Sequence, residues 1–278
     1  MEPSKTKHID RRYATELGLQ AVEIMNAGHY TVEGKRVNIA HSIKRAVVGT
    51  QTFSPQQNVL LPAVDQVATS IRVVNQTTLE AASELWSRSI YPLALNFASA
   101  KNPGGGFLNG SRAQEESLAR SSGLYACLVG NPMYDYHRRQ RNAMYSDFAI
   151  YSPDVPVFRD DDGTLLPSPY FCSFITCAAV NAKALKLADK HSNRIANAMR
   201  SRITRVLSIA AEQNHSAIIL GAWGCGAFGN RGDVIAQIFH NALTSKFRGV
   251  FAEVVFAVTD WSKERKFIGP FADTFTDS

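Results

Sequence analysis

The sequence predicts an α/β fold, a sheet covered by helices on both faces. Three observations carry that expectation. From about residue 66 onward, apolar strand-like runs alternate with helix-like runs. Two of the strand-like runs end in glycine-rich loops, "NPGGG" and "GAWGCGAFGN". The 278 residues are 45% hydrophobic and 19% charged, a globular composition in a chain long enough to bury a large core.

Taken in order, residues 10–27 read as a helix, with Leu17, Ala21 and Ile24 at helical spacing. "GHYTVEGKRVNIAHSI" reads as a short hairpin turning at Glu33-Gly34. Residues 1–65 are expected to form an N-terminal accessory region, joined through "SPQQNVLLPAVD" to a main domain over 66–278. There "SIRVVNQ" reads as a strand, "TLEAASELWSRS" as a helix and "YPLALNFAS" as a strand running into the first glycines. "EESLARSSGLYACLV" reads as one helix. "DFAIYSPDVPVFRDDDGTLL" is a strand pair or an extended insertion turning at Asp162-Gly163, and "YFCSFITCAAV" a further strand. Ile195, Met199, Ile203, Val206 and Ala210 form one apolar helical stripe. Arg194, Arg200, Arg202 and Arg205 are expected on its solvated flank. "SAIILGAW", "RGDVIAQIFHNALTSKF" and "VFAEVVFAVTD" complete the pattern as strand, helix and strand.

The net charge of +6 suits an anionic substrate, and equally suits solubility alone. Cys127, Cys172, Cys177 and Cys225 make no C-x-x-C pair, so reduced and mostly buried thiols are expected. The N-terminus lacks an apolar signal core, and no run approaches a membrane span. The expectation is a soluble, cytoplasmic protein.

In an open α/β sheet, ligands sit at the carboxyl ends of the strands. Glycine there permits positive φ and lets backbone N–H groups approach an anion. Either loop alone serves a tight turn as readily as a phosphate; two such loops favour a diphosphate held between them. "GCGAFG" also matches a dinucleotide fingerprint at Gly224, Gly226 and Gly229, with Glu253 as a ribose-binding acid 24 residues on. Its place near the end of the chain argues against that reading.

Glu115 and Glu116 follow the first loop. Two acids in the first turn of a helix complement its dipole. Beside a bound sugar, one can protonate a glycosidic oxygen. Neighbours on a helix fan about 100° apart, so the two are not expected to do the same job at one atom.

The stretch "LNFASAKNPGGGFLNGSRAQEESLARSSGLY", with a triple glycine, seven residues and then Gln-Glu-Glu, resembles the microbial-type poly(ADP-ribose) glycohydrolases. "YSDFAIYSPDVPVFRDDDG" and "GAWGCGAFGN" resemble the same family. The resemblance implies a three-layer α/β/α macrodomain with a mixed central sheet, a helical N-terminal accessory region, and hydrolysis of ribose–ribose bonds from polymer ends. It implies Glu116 as the acid that protonates the leaving 2′-oxygen and Glu115 as the residue that orients the distal ribose. It implies substrate contacts by Asn96, Asn102, Gly104, Gly105, Gly106 and Gln114 in and around the first loop, and by Gly224, Gly226, Ala227, Phe228, Gly229 and Asn230 in the second. It implies ADP-ribose and poly(ADP-ribose) on modified proteins as partners, a part in the DNA damage response, and no metal or cofactor. The alternatives are a macrodomain that binds ADP-ribose without cutting it, and a hydrolase of mono-ADP-ribose on protein or nucleic acid.

Overall fold

The computed structural model describes residues 9–60, 67–140, 142–185 and 193–276. Helix α1 (Arg11–Ala27) begins where the Asp10 carboxylate accepts the Tyr13 N–H at 2.8 Å, and it ends at Gly28, whose φ of 69° only glycine adopts freely. Its expected stripe of Leu17, Ala21 and Ile24 is buried, joined by Ala14. Strands β1 (His29–Val32) and β2 (Lys35–Asn38) form the expected hairpin. Glu33 and Gly34 at its turn both have positive φ, the geometry that matches strand twist. Helix α2 (Ala40–Gly49) leads into β3 (Gln51–Phe53).

β3 pairs antiparallel with β6 (Ala149–Arg159), so the N-terminal region is stitched into the central sheet. The expected joint at "SPQQNVLLPAVD" falls partly on residues 61–66, outside the described residues. The other strands are β4 (Ser70–Val74), β5 (Leu93–Phe97), β7 (Leu165–Cys177), β8 (Ala217–Leu220) and β9 (Glu253–Ala257). Their order is β3-β6-β7-β5-β8-β9-β4. The β3–β6 and β6–β7 pairs are antiparallel and the rest parallel, a mixed sheet.

Alternation along the parallel strands feeds two apolar layers. Leu93, Leu95, Ile218 and Val254 face α7 (Arg194–Glu212), α8 (Gly232–Thr244) and α9 (Gly269–Thr274). Ala94, Ile219 and Val255 face the opposite layer, with α3 (Thr78–Ser87), α4 (Gln114–Ser121), α5 (Leu124–Leu128) and α6 (Pro132–Gln140). The result is the three-layer α/β/α arrangement.

Four details depart from the sequence reading. The helix expected over 115–129 is two helices, because Ser122 bridges to Val157 and the Gly123 N–H donates to the Pro156 carbonyl at 2.9 Å. Of the two readings of 147–166, the strand pair turning at Asp162-Gly163 is observed, but its second strand runs unbroken into the strand read at 170–180 as a single long β7. Arg202 is not on a solvated flank. It is 1% exposed, donates to Asp147 Oδ1 at 3.1 Å and caps the carbonyls of Ala178 and Met144. Arg205 likewise donates to the carbonyls of Gln57 and Ser54. Helix α6 was not anticipated at all. Its "PMYDYHRRQ" buries Met133, Tyr134 and His137, too polar a stripe to stand out as periodic.

Arg159, at the end of β6, is fully buried. It donates to the carbonyl of Leu17 in α1 at 3.0 Å, to the carbonyl of Arg120 in α4, and to Gln20 Oε1. Burial lowers its pKa to about 10. This one cation ties α1 to the end of α4. Replacing it by methionine is expected to cost about 1.5–3 kcal/mol, measured as a lower urea midpoint with unchanged m-value.

Candidate active site

The strand β5 ends at Phe97, and the chain turns into Asn102–Ser111 before entering α4. Gly104 and Gly105 have φ of 67° and 62°, two consecutive left-handed residues that side chains resist. That turn aims backbone N–H groups at the first residues of α4. The Gly106 N–H donates to Glu116 Oε1 at 2.9 Å. The Ser99 N–H donates to Glu115 Oε2 at 2.6 Å, and the Gly104 N–H also bonds that carboxylate. The Gly105 N–H closes the turn onto the Asn102 carbonyl at 3.0 Å.

Glycine is needed here for a second reason. A Cβ on Gly105 would lie 2.2 Å from Glu116 Oε1 and 3.0 Å from Glu115 Oε2. The two carboxylates therefore converge on one point above the loop, despite leaving the helix in different directions. The first loop spends its N–H groups on these acids. It does not hold them out to a phosphate, as the sequence suggested.

The partners of the acids differ. Both oxygens of Glu115 are engaged, Oε2 as above and Oε1 by Asn96 Nδ2 at 3.4 Å. Glu116 has Oε1 held and Oε2 buried without a partner. Burial raises the Glu115 carboxyl well above its ordinary range. The Ser99 N–H opposes this, the Glu116 charge adds to it, and the Asn96 amide and Gly104 N–H oppose it.

Asn96 is fully buried and also donates to Thr176 Oγ1 at 3.1 Å. It supports Glu115 from below, and its Oδ1 is buried without a partner. Gln114 is similarly committed. Its Oε1 accepts the Phe97 N–H at 2.9 Å, and its Nε2 donates to the Leu95 carbonyl at 2.8 Å. It fastens α4 to β5 while lining the cavity beside it. Asn102 is exposed at the start of the loop.

A cavity of about 460 Å³ opens at the carboxyl ends of β5, β8 and β9. Its wall reaches α4 at Gln114 and Ser117, the residues flanking the glutamates. The glutamates themselves are 3% and 9% exposed and lie outside the lining. Opposite stands the second loop. Gly224, Gly226, Ala227 and Phe228 line the cavity, and no acceptor among the described residues takes their N–H groups. Such a row of backbone N–H groups is a cradle for an anion. Gly229 faces Lys183 instead. Asn230, 7% exposed, buckles the loop by donating to the carbonyls of Val180 and Gly224 at 2.8 and 3.1 Å. It shapes the loop from behind, not from the cavity side.

The rest of the wall was not singled out from sequence. Phe97, Trp223, Val258, Trp261 and Phe267 make it apolar and aromatic, with Thr77, Asp161 and Arg120 as polar points. The Thr77 hydroxyl donates to Asp161 Oδ2 at 2.5 Å, and burial pushes the Asp161 carboxyl up to about 6. Trp261 stands 56% exposed just past the end of β9. Glu253, the acid of the dinucleotide alternative, begins β9 at the other end of the sheet and pairs with Arg72 and Arg88, both at 2.8 Å. That removes it from the cavity and removes the alternative.

The family model described as the catalytic domain of microbial-type PARG matches residues 19–160. Poly(ADP-ribose) glycohydrolase from Thermomonospora curvata is 43% identical, with a TM-score of 0.92 over 95% of this chain and 100% of that one. The same enzyme bound to the inhibitor ADP-HPD superposes with a TM-score of 0.90, at 43% identity and the same coverage. Poly(ADP-ribose) glycohydrolase from Deinococcus radiodurans in complex with ADP-ribose is 36% identical, with a TM-score of 0.78 over 89% and 98% of the two chains. No curated protein matches the chain.

Two outcomes test the geometry. Gly105→Ala is expected to lose at least about 1–2 kcal/mol of stability, whereas Gly226→Ala, with open space around its Cβ position, changes it by less than about 0.5 kcal/mol. Calorimetric unfolding of both compares them directly. Glu115 has its folded-state pKa raised above the ordinary 4.5, so its contribution to stability is complete below that value and is lost as pH rises. The stability of Glu115→Gln relative to wild type should therefore improve as pH climbs from about 4.5, read from denaturant melts across pH.

Proposed function

This chain belongs to the microbial-type poly(ADP-ribose) glycohydrolase family and is a glycosidase acting on poly(ADP-ribose), and from that premise we propose that it works from polymer ends with Glu116 as its general acid and base. One observation carries the assignment. Of the two convergent carboxylates, Glu115 has both oxygens occupied, while Glu116 keeps Oε2 free of any protein partner.

In this reading the ADP-ribose unit enters the cavity with its aromatic base against the Phe97, Trp261 and Phe267 wall. Its diphosphate lies on the free N–H groups of the second loop at Gly224, Gly226, Ala227 and Phe228. The distal ribose then stands over the carboxylate pair, with Asn102 at its edge. Glu116 Oε2 gives its proton to the leaving 2′-oxygen as the bond from C1″ breaks and positive charge gathers on the ribose. The buried negative charge of the pair stabilises that oxocarbenium-like centre. Water then bonds to C1″ and returns its proton to Glu116. Glu115, fixed by Ser99 and Asn96, orients the ribose.

A module that only bound ADP-ribose would have no use for two buried acids, each costing desolvation. The substrate carried on modified proteins, a cytoplasmic location and a part in the DNA damage response belong to the same proposal. No helix among the described residues is long and apolar enough to cross a membrane.

Glu116→Gln is expected to retain ADP-ribose binding in calorimetry while turnover on poly(ADP-ribosyl)ated protein falls about 10²–10⁴-fold. Turnover near the wild-type rate would remove Glu116 from the role.

A further inference from the structure

The cavity and the carboxylates account for the unit that is removed. In the reading proposed above the leaving group is the rest of the polymer, and with the removed unit in the cavity it leaves from the carboxylates, which the first glycine loop adjoins. Each unit of that chain carries a diphosphate, so the departing strand is a dense polyanion.

Helix α6 is docked on the two residues that precede this loop. His137 Nδ1 donates to the Ala100 carbonyl at 3.1 Å, and its Nε2 accepts from the Ser146 hydroxyl at 2.7 Å and the Ser146 N–H at 3.2 Å. That pattern requires a neutral ring, and burial, by lowering the His137 pKa to about 4, keeps it neutral. Arg138 donates to the Lys101 carbonyl and pairs with Asp135 at 2.6 Å. Arg139 is exposed, and its charge reaches Asp135 as well. Lys101 is half-buried and directly precedes Asn102. No carboxylate among the described residues forms an ion pair with Lys101 or Arg139. Three cations thus stand against one carboxylate, Asp135, on a rim fastened to the catalytic loop.

We propose that this rim, through Lys101 and Arg139, is an exit track that holds the diphosphates of the uncleaved polymer next to the scissile bond. The inference rests on the glycohydrolase reading and deepens it. It supplies a contact that a long chain makes and a single ADP-ribose does not. Exposed cations attract such a chain through solvent over about a Debye length, some 8 Å at physiological salt. Their effect should appear as a salt-dependent gain in kcat/KM on polymer.

The test uses the whole protein, the double variant Lys101→Ala/Arg139→Ala and the charge-keeping pair Lys101→Arg/Arg139→Lys. The alanine pair is expected to lower kcat/KM on long poly(ADP-ribose) by about 3–10-fold at low salt. It should reduce the slope of log(kcat/KM) against log[salt] by about 1–2, and leave calorimetric binding of free ADP-ribose unchanged. The charge-keeping pair should restore both quantities. Unchanged turnover on long polymer would overturn the proposal. So would a parallel loss of ADP-ribose binding, which would assign these residues to the cavity. Filter binding of polymer and of an oligodeoxythymidylate of equal charge runs alongside. A loss confined to the oligonucleotide would make the rim a nucleic-acid surface and overturn the track. If wild type released no ADP-ribose, the glycohydrolase reading would fail by itself. The track would then be judged by polymer binding, and equal affinity of wild type and the alanine pair would end it.

Discussion

Two carboxylates share one buried place at the start of α4, and most of the site is arranged around keeping them there. Like charges repel, and burial raises the cost of each. Backbone N–H groups of Ser99, Gly104 and Gly106 offset that cost with charge-assisted hydrogen bonds. The Gly104 and Gly106 N–H groups point inward because Gly104 and Gly105 take left-handed conformations, and the acids fit only because Gly105 has no side chain. Loop and helix are thus one object. Gln114 binds that object to β5, and Arg120 binds the loop's end by donating to the Ser111 carbonyl at 3.1 Å.

The two glycine loops look alike in sequence and do opposite things. One turns its donors onto the protein's own acids; the other leaves Gly224, Gly226, Ala227 and Phe228 with donors facing a cavity. Spacing cannot separate these roles, because what a loop donates to is decided by the strand and helix brought against it. The division has a chemical logic. In the proposed reading, the reacting groups sit in a rigid frame already satisfied by hydrogen bonds, while the donors for the diphosphate stay free until a ligand takes them.

Much of the layered architecture was legible. Strand and helix periods gave β4, α3, β5, α7, β8, α8 and β9 nearly in place, because each is amphipathic or apolar on a local period. What escaped was set by tertiary contacts. Ser122 leaves its helix because β6 is beside it, and Arg202 turns inward because Asp147 and two carbonyls await it. The Gln-Glu-Glu triplet marked the two convergent acids, yet not the division between an acid with a free oxygen and one fully held. The resemblance implied ligand contacts for Asn96 and Asn230; in the structure Asn96 braces Glu115 and Asn230 braces the second loop, each with a buried Oδ1 that has no partner. The aromatic wall was invisible since its members come from three separated segments with no shared motif.

The fully buried Arg159 carries a consequence for how the molecule is made. Its three acceptors come from α1, synthesised more than a hundred residues before it, and from α4. A helix that leaves the ribosome first therefore waits for β6 before its final contact exists. Contacts this distant in sequence slow folding, since a long loop must close before they return any stabilisation. The helix that carries the glutamates is locked at its far end by the same late event. A nascent chain holding all of the loop and both acids, but ending before residue 159, would lack that lock, so catalytic competence is expected to arrive with the completed sheet and not with the completed motif.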